Sequence, residues 1–252
     1  MSQIFRLKVI ACEVLTREIS HSIARSKHAV DIEFTQKGAH DNSDNLRHII
    51  QTKIDEAEEN DQEYDAILLG FGLCGNAIDG LIARKTKLII PRAHDCCTLF
   101  LGSKNRFKEL FEDRPSTPFT SPGYMERGGT LSHEAGDFAK QAGLKQSFED
   151  YVEIYGEESA KYLWEALHTS QNKHSDDIVY IEVPELAHLG YADICQAKAE
   201  DENKEFIHVE GSMKLIRHLI LGEWNEDEFL VVEPGKKVEA LYDWDNIIGS
   251  KD

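Results

Sequence analysis

Short apolar, β-prone runs alternate with stretches of helical period along this chain, and that alternation restricts it to few folds. Residues 7–11 and 30–35 read as strands, the second by its alternating pattern (VDIEFT). Residues 66–70 and 88–90 read as buried strands. Between them, residues 15–26 are compatible with a helix. Residues 45–60 carry Leu46, Ile49, Ile50 and Ile54 at helical spacing, with Asp44 as the expected cap. A short helix is expected before residue 88, Pro91 ends the strand that follows, and a helix is expected over 105–111. Strand alternating with helix indicates a parallel sheet.

A segment rich in Pro, Gly, Ser and Thr at about 113–129 reads as a crossover or a loop over a site. A long helix is expected over 148–168. Strands are expected at 178–183, 206–209 and 229–232, with helices over 191–198 and 213–221 between them. The acidic tail from Leu241 is left to pack or fray. The expectation is an α/β chain with a Rossmann-like parallel sheet and two α/β lobes, 1–115 and 116–252, its site at the carboxyl ends of the strands.

The chain has 252 residues, enough for one large domain or two small lobes. Its formal net charge of −18 opposes attraction to nucleic acid or an anionic membrane, although a solvated surface explains the acidity equally simply. No apolar run approaches the ~20 residues that span a bilayer. Arg6 and Lys8 interrupt the first apolar stretch, which reads as a strand and not as a signal peptide. A cytoplasmic, reducing environment is the expectation. There, five cysteines point to metal binding or catalysis and away from a disulfide framework.

Three of those cysteines, Cys12, Cys74 and Cys96, stand where an expected strand ends. In an open parallel sheet the strand carboxyl ends line one crevice. Thiolates are soft donors suited to zinc, copper(I) and iron–sulfur clusters. The spacing lacks close CxxC pairs, so the argument rests on topology. Cys12 alone reads as well as a small buried residue. Gly72, Gly75 and Asn76 flank Cys74 and are candidates for close backbone approach to a cofactor.

His94 and Cys96 lie two apart, and in an extended segment they share a face. His94 is therefore a fourth candidate ligand, and Asp95 a catalytic or orienting group. Arg92 and Lys104 are candidates to hold an anionic group of a substrate. Tyr124, in the segment Ser121-Pro122-Gly123-Tyr124, is placed over the pocket. His40, in a loop after the second strand, is a candidate catalytic residue with solvation as the plain alternative. Cys97 and Cys195 are expected to pack. Gly70 and Gly72 form a G-x-G without a third glycine at the right place, which argues little for a nucleotide. There is no P-loop, no G-x-S-x-G elbow and no H-E-x-x-H.

The pieces FGLCGNAIDGLIAR (71–84) and LIIPRAHDCCTLFLGSKNRF (88–107) resemble the uncharacterised family called domain of unknown function 1638. ACEVLTRE (11–18), GAHDNSDNLR (38–47), FTSPGYMERG (119–128) and LILGEWNEDEFLVVEPG (219–235) resemble it too. Tyr124 departs from the Trp usual in that family, and Cys97 from an aliphatic residue. The resemblance implies that Cys12, His40, Cys74, His94, Asp95 and Cys96 belong to shared motifs, and it strengthens a common metal site. It also implies association with corrinoid-dependent methyltransferases, since family members are often encoded beside them in anaerobes and methyl-metabolising organisms.

The leading expectation is a metal–thiolate enzyme acting on a small molecule. With a zinc ion the expected chemistry is thiol alkylation or methyl transfer in one-carbon metabolism. With a [4Fe-4S] cluster on three cysteines it is lyase or dehydratase chemistry. The alternatives are a metal-free racemase using Cys74 and Cys195 as an acid–base pair, and a non-catalytic partner protein that handles a metal or corrinoid. Expected partners are a small substrate and a corrinoid protein or methyltransferase, with no nucleic acid and no membrane. A homo-oligomer stays open.

Overall fold

A computed structural model of the chain describes residues 3–59, 63–112, 119–127, 177–241 and 243–252. The helix expected over 148–168 lies outside them. The strands are β1 (Arg6–Cys12), β2 (Ala29–Thr35), β3 (Ala66–Gly70), β4 (Leu88–Pro91), β5 (Phe119–Thr120), β6 (Ile178–Glu182), β7 (Phe206–Glu210), β8 (Phe229–Val232), β9 (Lys237–Ala240) and β10 (Ile248–Lys251). The α-helices are α1 (Thr16–Ile23), α2 (Ser43–Glu59), α3 (Cys96–Leu101), α4 (Lys104–Phe111), α5 (Pro122–Glu126), α6 (Tyr191–Asp201) and α7 (Lys214–Leu221).

The central sheet has the order β2-β1-β3-β4-β8. Its first four strands are parallel and β8 runs antiparallel along the β4 edge. The α/β fold with a mostly parallel sheet is the one expected. Period-two alternation sends β1, β3, β4 and β8 to two cores, while the apolar residues of β2 pack on one. Leu7, Val9 and Leu68 pack on one face with α1, α3, α4 and α7. Ile10, Ile67, Leu69 and Ile90 pack on the other with Leu46, Ile50 and Ile54 of α2. The inner strands β3 and β4 are buried at every position, as an apolar run flanked by helices requires.

A second sheet has the order β5-β6-β7, parallel throughout. Val179 and Ile181 of β6 join the core of the first sheet's helices, while Ile178 and Tyr180 face α6. A boundary at residue 115 does not follow these sheets: α7 and β8, late in the chain, return to the first one. The tail from Leu241, left to pack or fray, packs: its β10 pairs antiparallel with β9.

The order 2-1-3 places the reversal of strand order between β1 and β3. The chain leaves β1 towards β2, then crosses back to β3. The crevice beyond the carboxyl ends of such a pair is where open α/β sheets bind ligands. No helix among the described residues is long and apolar enough to cross a membrane.

Candidate functional site

Cys12 is the last residue of β1, paired in register with Thr35 at the end of β2. Cys74 lies just past β3 in a turn whose three consecutive residues are left-handed: Cys74 (φ 47°), Gly75 (φ 63°) and Asn76 (φ 69°). A non-glycine residue in that region is strained and needs its surroundings to hold it there. The Cys74 N–H donates to the His94 carbonyl (2.9 Å), and the Leu73 N–H to that of Ala93 (2.8 Å). From α2, Ser43 Oγ donates to the Gly75 carbonyl and Arg47 Nη2 to that of Asn76, each at 2.8 Å. Gly72 lies against the Asp95 backbone, where a Cβ would stand 2.6 Å from its Cα and N. Only glycine permits that approach, which brings the β3 and β4 loops together.

Cys96 opens α3. Asp95 caps this helix, accepting from the Thr98 N–H at 3.2 Å. The cap turns the chain at Cys96, so residues 94 and 96 do not share a face as they would in an extended segment. His94 packs instead against Trp244 (ring centroids 4.7 Å apart) and Phe107 (5.4 Å), and burial lowers its proton affinity. Its Nε2 has no hydrogen-bond partner among the described residues.

Cys12, Cys74, Cys96, Asp95 and Tyr124 line one cavity of about 360 Å³, with Thr35, Lys37 and Phe119 among the other lining residues. Tyr124 Oη is hydrogen bonded to Cys96 Sγ at 2.8 Å. Helix α5 holds that tyrosine in place. Gly123 sits directly on the Val14 carbonyl oxygen, where a Cβ would overlap it. Glu126 pairs with Arg17 (2.5 Å), and Arg127 with Glu13 (3.4 Å), both on the segment after β1. The turn that follows Cys12 therefore also positions the residue that touches Cys96.

Burial is the main cause of the high proton affinity of all three thiols. It pushes Cys74 up to about 12, with a further rise from Asp95 and Cys12. Cys96 is raised well above the ordinary thiol value by burial, with Asp95, Cys74 and Cys12 adding to it. Asp95 is pushed up to about 6 by burial, against hydrogen bonds from Thr98 and Cys97 that favour its charge. The thiols stay protonated unless a cation enters, and a bound metal would invert that balance. In kind, the donors fit a soft metal or an iron–sulfur centre. Among the described residues, no three His, Cys, Asp or Glu side chains already form a set that could hold a single metal ion.

Other expected site residues lie elsewhere. Arg92 donates from Nε to the Glu226 carbonyl (2.9 Å) and from Nη1 to those of Asn246 (2.8 Å) and Ile248 (2.5 Å). Lys104 Nζ donates to the Asp245 carbonyl. Both line a separate cavity of about 330 Å³ with Asp227 and Glu228. Gly75 lines the thiol cavity, while Gly72 and Asn76 shape the loop behind it. Cys195 donates to Met125 Sδ (3.3 Å) under α6 and does not line the cavity with Cys74. Cys97 packs into the core. His40 falls in the 3-10 helix Lys37–Asp41, and its side chain lies outside the described residues.

Thr35, Gln36, Lys37 and Ser43 line the cavity without having been singled out from the sequence. The signal was present: the strand-end argument that selected Cys12 selects Thr35 when applied to β2.

No curated protein and no solved structure matches the chain. A family model does, over residues 34–220, well over half of the sequence, and its span includes Cys74, Cys96 and Tyr124. The chain therefore belongs to the family described as protein of unknown function (DUF1638).

Proposed function

We propose that this protein is an enzyme acting on a small molecule at a metal–thiolate centre held by Cys12, Cys74 and Cys96. One observation carries the reading: three thiols from the ends of adjacent parallel strands line one cavity at the reversal of strand order. A volume of about 360 Å³ suits a metabolite. A corrinoid-linked role would place that cofactor on a partner protein.

Of the two candidate centres, we take a [4Fe-4S] cluster ahead of a zinc ion. A single ion needs its donors gathered at one point, and no such set stands ready among the described residues. In a cluster each cysteine binds its own iron, which spreads the sulfurs. Bound by three cysteines, the centre would supply a Lewis acid with an open position, suited to lyase or dehydratase chemistry. The chain's own groups do the rest. Phe71 and Phe119 exclude water from the cavity wall, Tyr124 orients Cys96, and Asp95 would hold or deliver a proton at the substrate.

The test is metal analysis of protein purified without oxygen. The expected result is a brown protein containing iron and sulfide, with the colour lost in Cys12→Ser, Cys74→Ser and Cys96→Ser and kept in Cys97→Ser and Cys195→Ser. A colourless protein with zinc lost in the same three variants would move the chemistry to thiol alkylation or methyl transfer. Metal-free wild-type protein, or full metal content in Cys74→Ser, would overturn the proposal.

A further inference from the structure

The hydrogen bond between Tyr124 and Cys96 changes its meaning when the cavity is filled. Tyr124 Oη lies 2.8 Å from Cys96 Sγ, and either atom can donate while the thiol keeps its proton. A cysteine that ligates a metal does so as a thiolate and has no proton to give. Tyr124 is then the donor, and a charge-assisted bond replaces a neutral one. Occupation of the site fixes the direction of this bond.

The other two sulfurs are served by the main chain. The backbone N–H groups of Gly72 and Cys96 donate towards Cys74, and that of Val14 towards Cys12. Among the described residues, Tyr124 is the one side-chain donor to a sulfur of the cavity. Its place is set from outside the cavity. Gly123 seats helix α5 on the Val14 carbonyl, and the Tyr124 ring packs edge-on against Phe119 (centroids 5.4 Å apart) and beside Phe100 (6.3 Å). A hydroxyl held this way is in position before a metal arrives and needs no rearrangement to act on it.

Gaining an electron makes an iron–sulfur centre more negative. A hydrogen bond to one of its sulfurs favours that more negative state and raises the reduction potential. We infer that Tyr124 sets the reduction potential of the centre, its hydroxyl donating to the Cys96 thiolate and making the reduced state easier to reach. The inference deepens the proposed function by naming the residue that tunes the centre, and it rests on that reading in its iron–sulfur form.

The experiment is an anaerobic reductive titration of the whole chain and of Tyr124→Phe, with dithionite as the electron donor, beside iron and sulfide analysis of the same preparations. Tyr124→Phe is expected to keep its iron and sulfide and to be about tenfold harder to reduce, a shift of about 59 mV to lower potential for a one-electron couple. Replacing Tyr124 by a ring-fluorinated tyrosine keeps the shape and strengthens the donor. It should shift the potential upwards, and it serves as the test if Tyr124→Phe does not fold. A loaded variant with an unchanged potential overturns the inference and leaves the centre standing. Loss of iron with the potential of the remainder unchanged also overturns it, since that is the mark of a merely structural tyrosine. Wild-type protein without iron and sulfide overturns the iron–sulfur centre and the inference with it.

Discussion

Glu18 is fully buried on α1, and neither of its carboxylate oxygens has a hydrogen-bond partner among the described residues. Burial, with Glu126 adding to it, pushes its carboxyl up to about 7 from the ordinary 4.5. The fold thus prefers the protonated acid. The stability this provides is full below pH 4.5, falls as pH rises through the window up to about 7, and is lost above it. A shift of this size corresponds to about 3 kcal/mol between the two ends of the window. Glu18→Gln keeps the shape and cannot ionise, so its unfolding free energy should fall less than that of the wild-type protein across that range, where Asp95, raised to about 6, still titrates. Urea denaturation at pH 4.5 and 8.5 checks this: parallel losses in the wild-type and variant proteins would rule Glu18 out as the cause.

Helix α5 is short, and its place is set by contact, not by helical propensity. Gly123→Ala puts a methyl group into the Val14 carbonyl oxygen, which a core backbone cannot yield. A loss of about 1–3 kcal/mol is expected, the usual scale of overpacking. Because α5 carries Tyr124, Cys96 should also lose its hydrogen-bond partner. Thermal unfolding measures the first effect and peptide-mapped alkylation of Cys96 the second, which should speed up. Much of this layer was legible in the sequence. Strand β8 was expected at its observed residues, and β6 and α2 within two residues, because each carries a plain apolar pattern. The cap of α2 was misplaced: Asn42 Oδ1 accepts from the Asn45 N–H (3.0 Å), ahead of Asp44. Helix α3 was not foreseen because CCTLFL is buried nearly all round and shows no polar face to set a period. The convergence of the cysteines was legible because strand ends depend on topology alone. The places of His94 and Arg92 were not, since each depends on contacts with residues 226–248, remote in sequence and weakly patterned.

At the scale of the whole molecule, the central sheet closes on a strand from its far end. Strand β8 covers the β4 edge, and Arg92 fastens this closure by donating to carbonyls of the 226–248 stretch. Arg92→Met leaves those acceptors without their charged donor. It should lower stability by about 2–4 kcal/mol, the sum of several such bonds discounted for partial exposure. The metal content expected of the proposed centre should not change. Denaturant melts with metal analysis check both halves, and a stable protein that had lost its metal would return Arg92 to the site. The closure also imposes an order in time. All three cysteines of the cavity precede β8, and the chain from Pro91 to Phe229 takes on the order of ten seconds to be made at about 5–20 residues per second. During that interval on the ribosome the β4 edge is bare and apolar, open to any extended neighbour. The strands that bear the thiols are thus born well before the one that seals their sheet, and a nascent chain has greatest need of a chaperone in the interval between them.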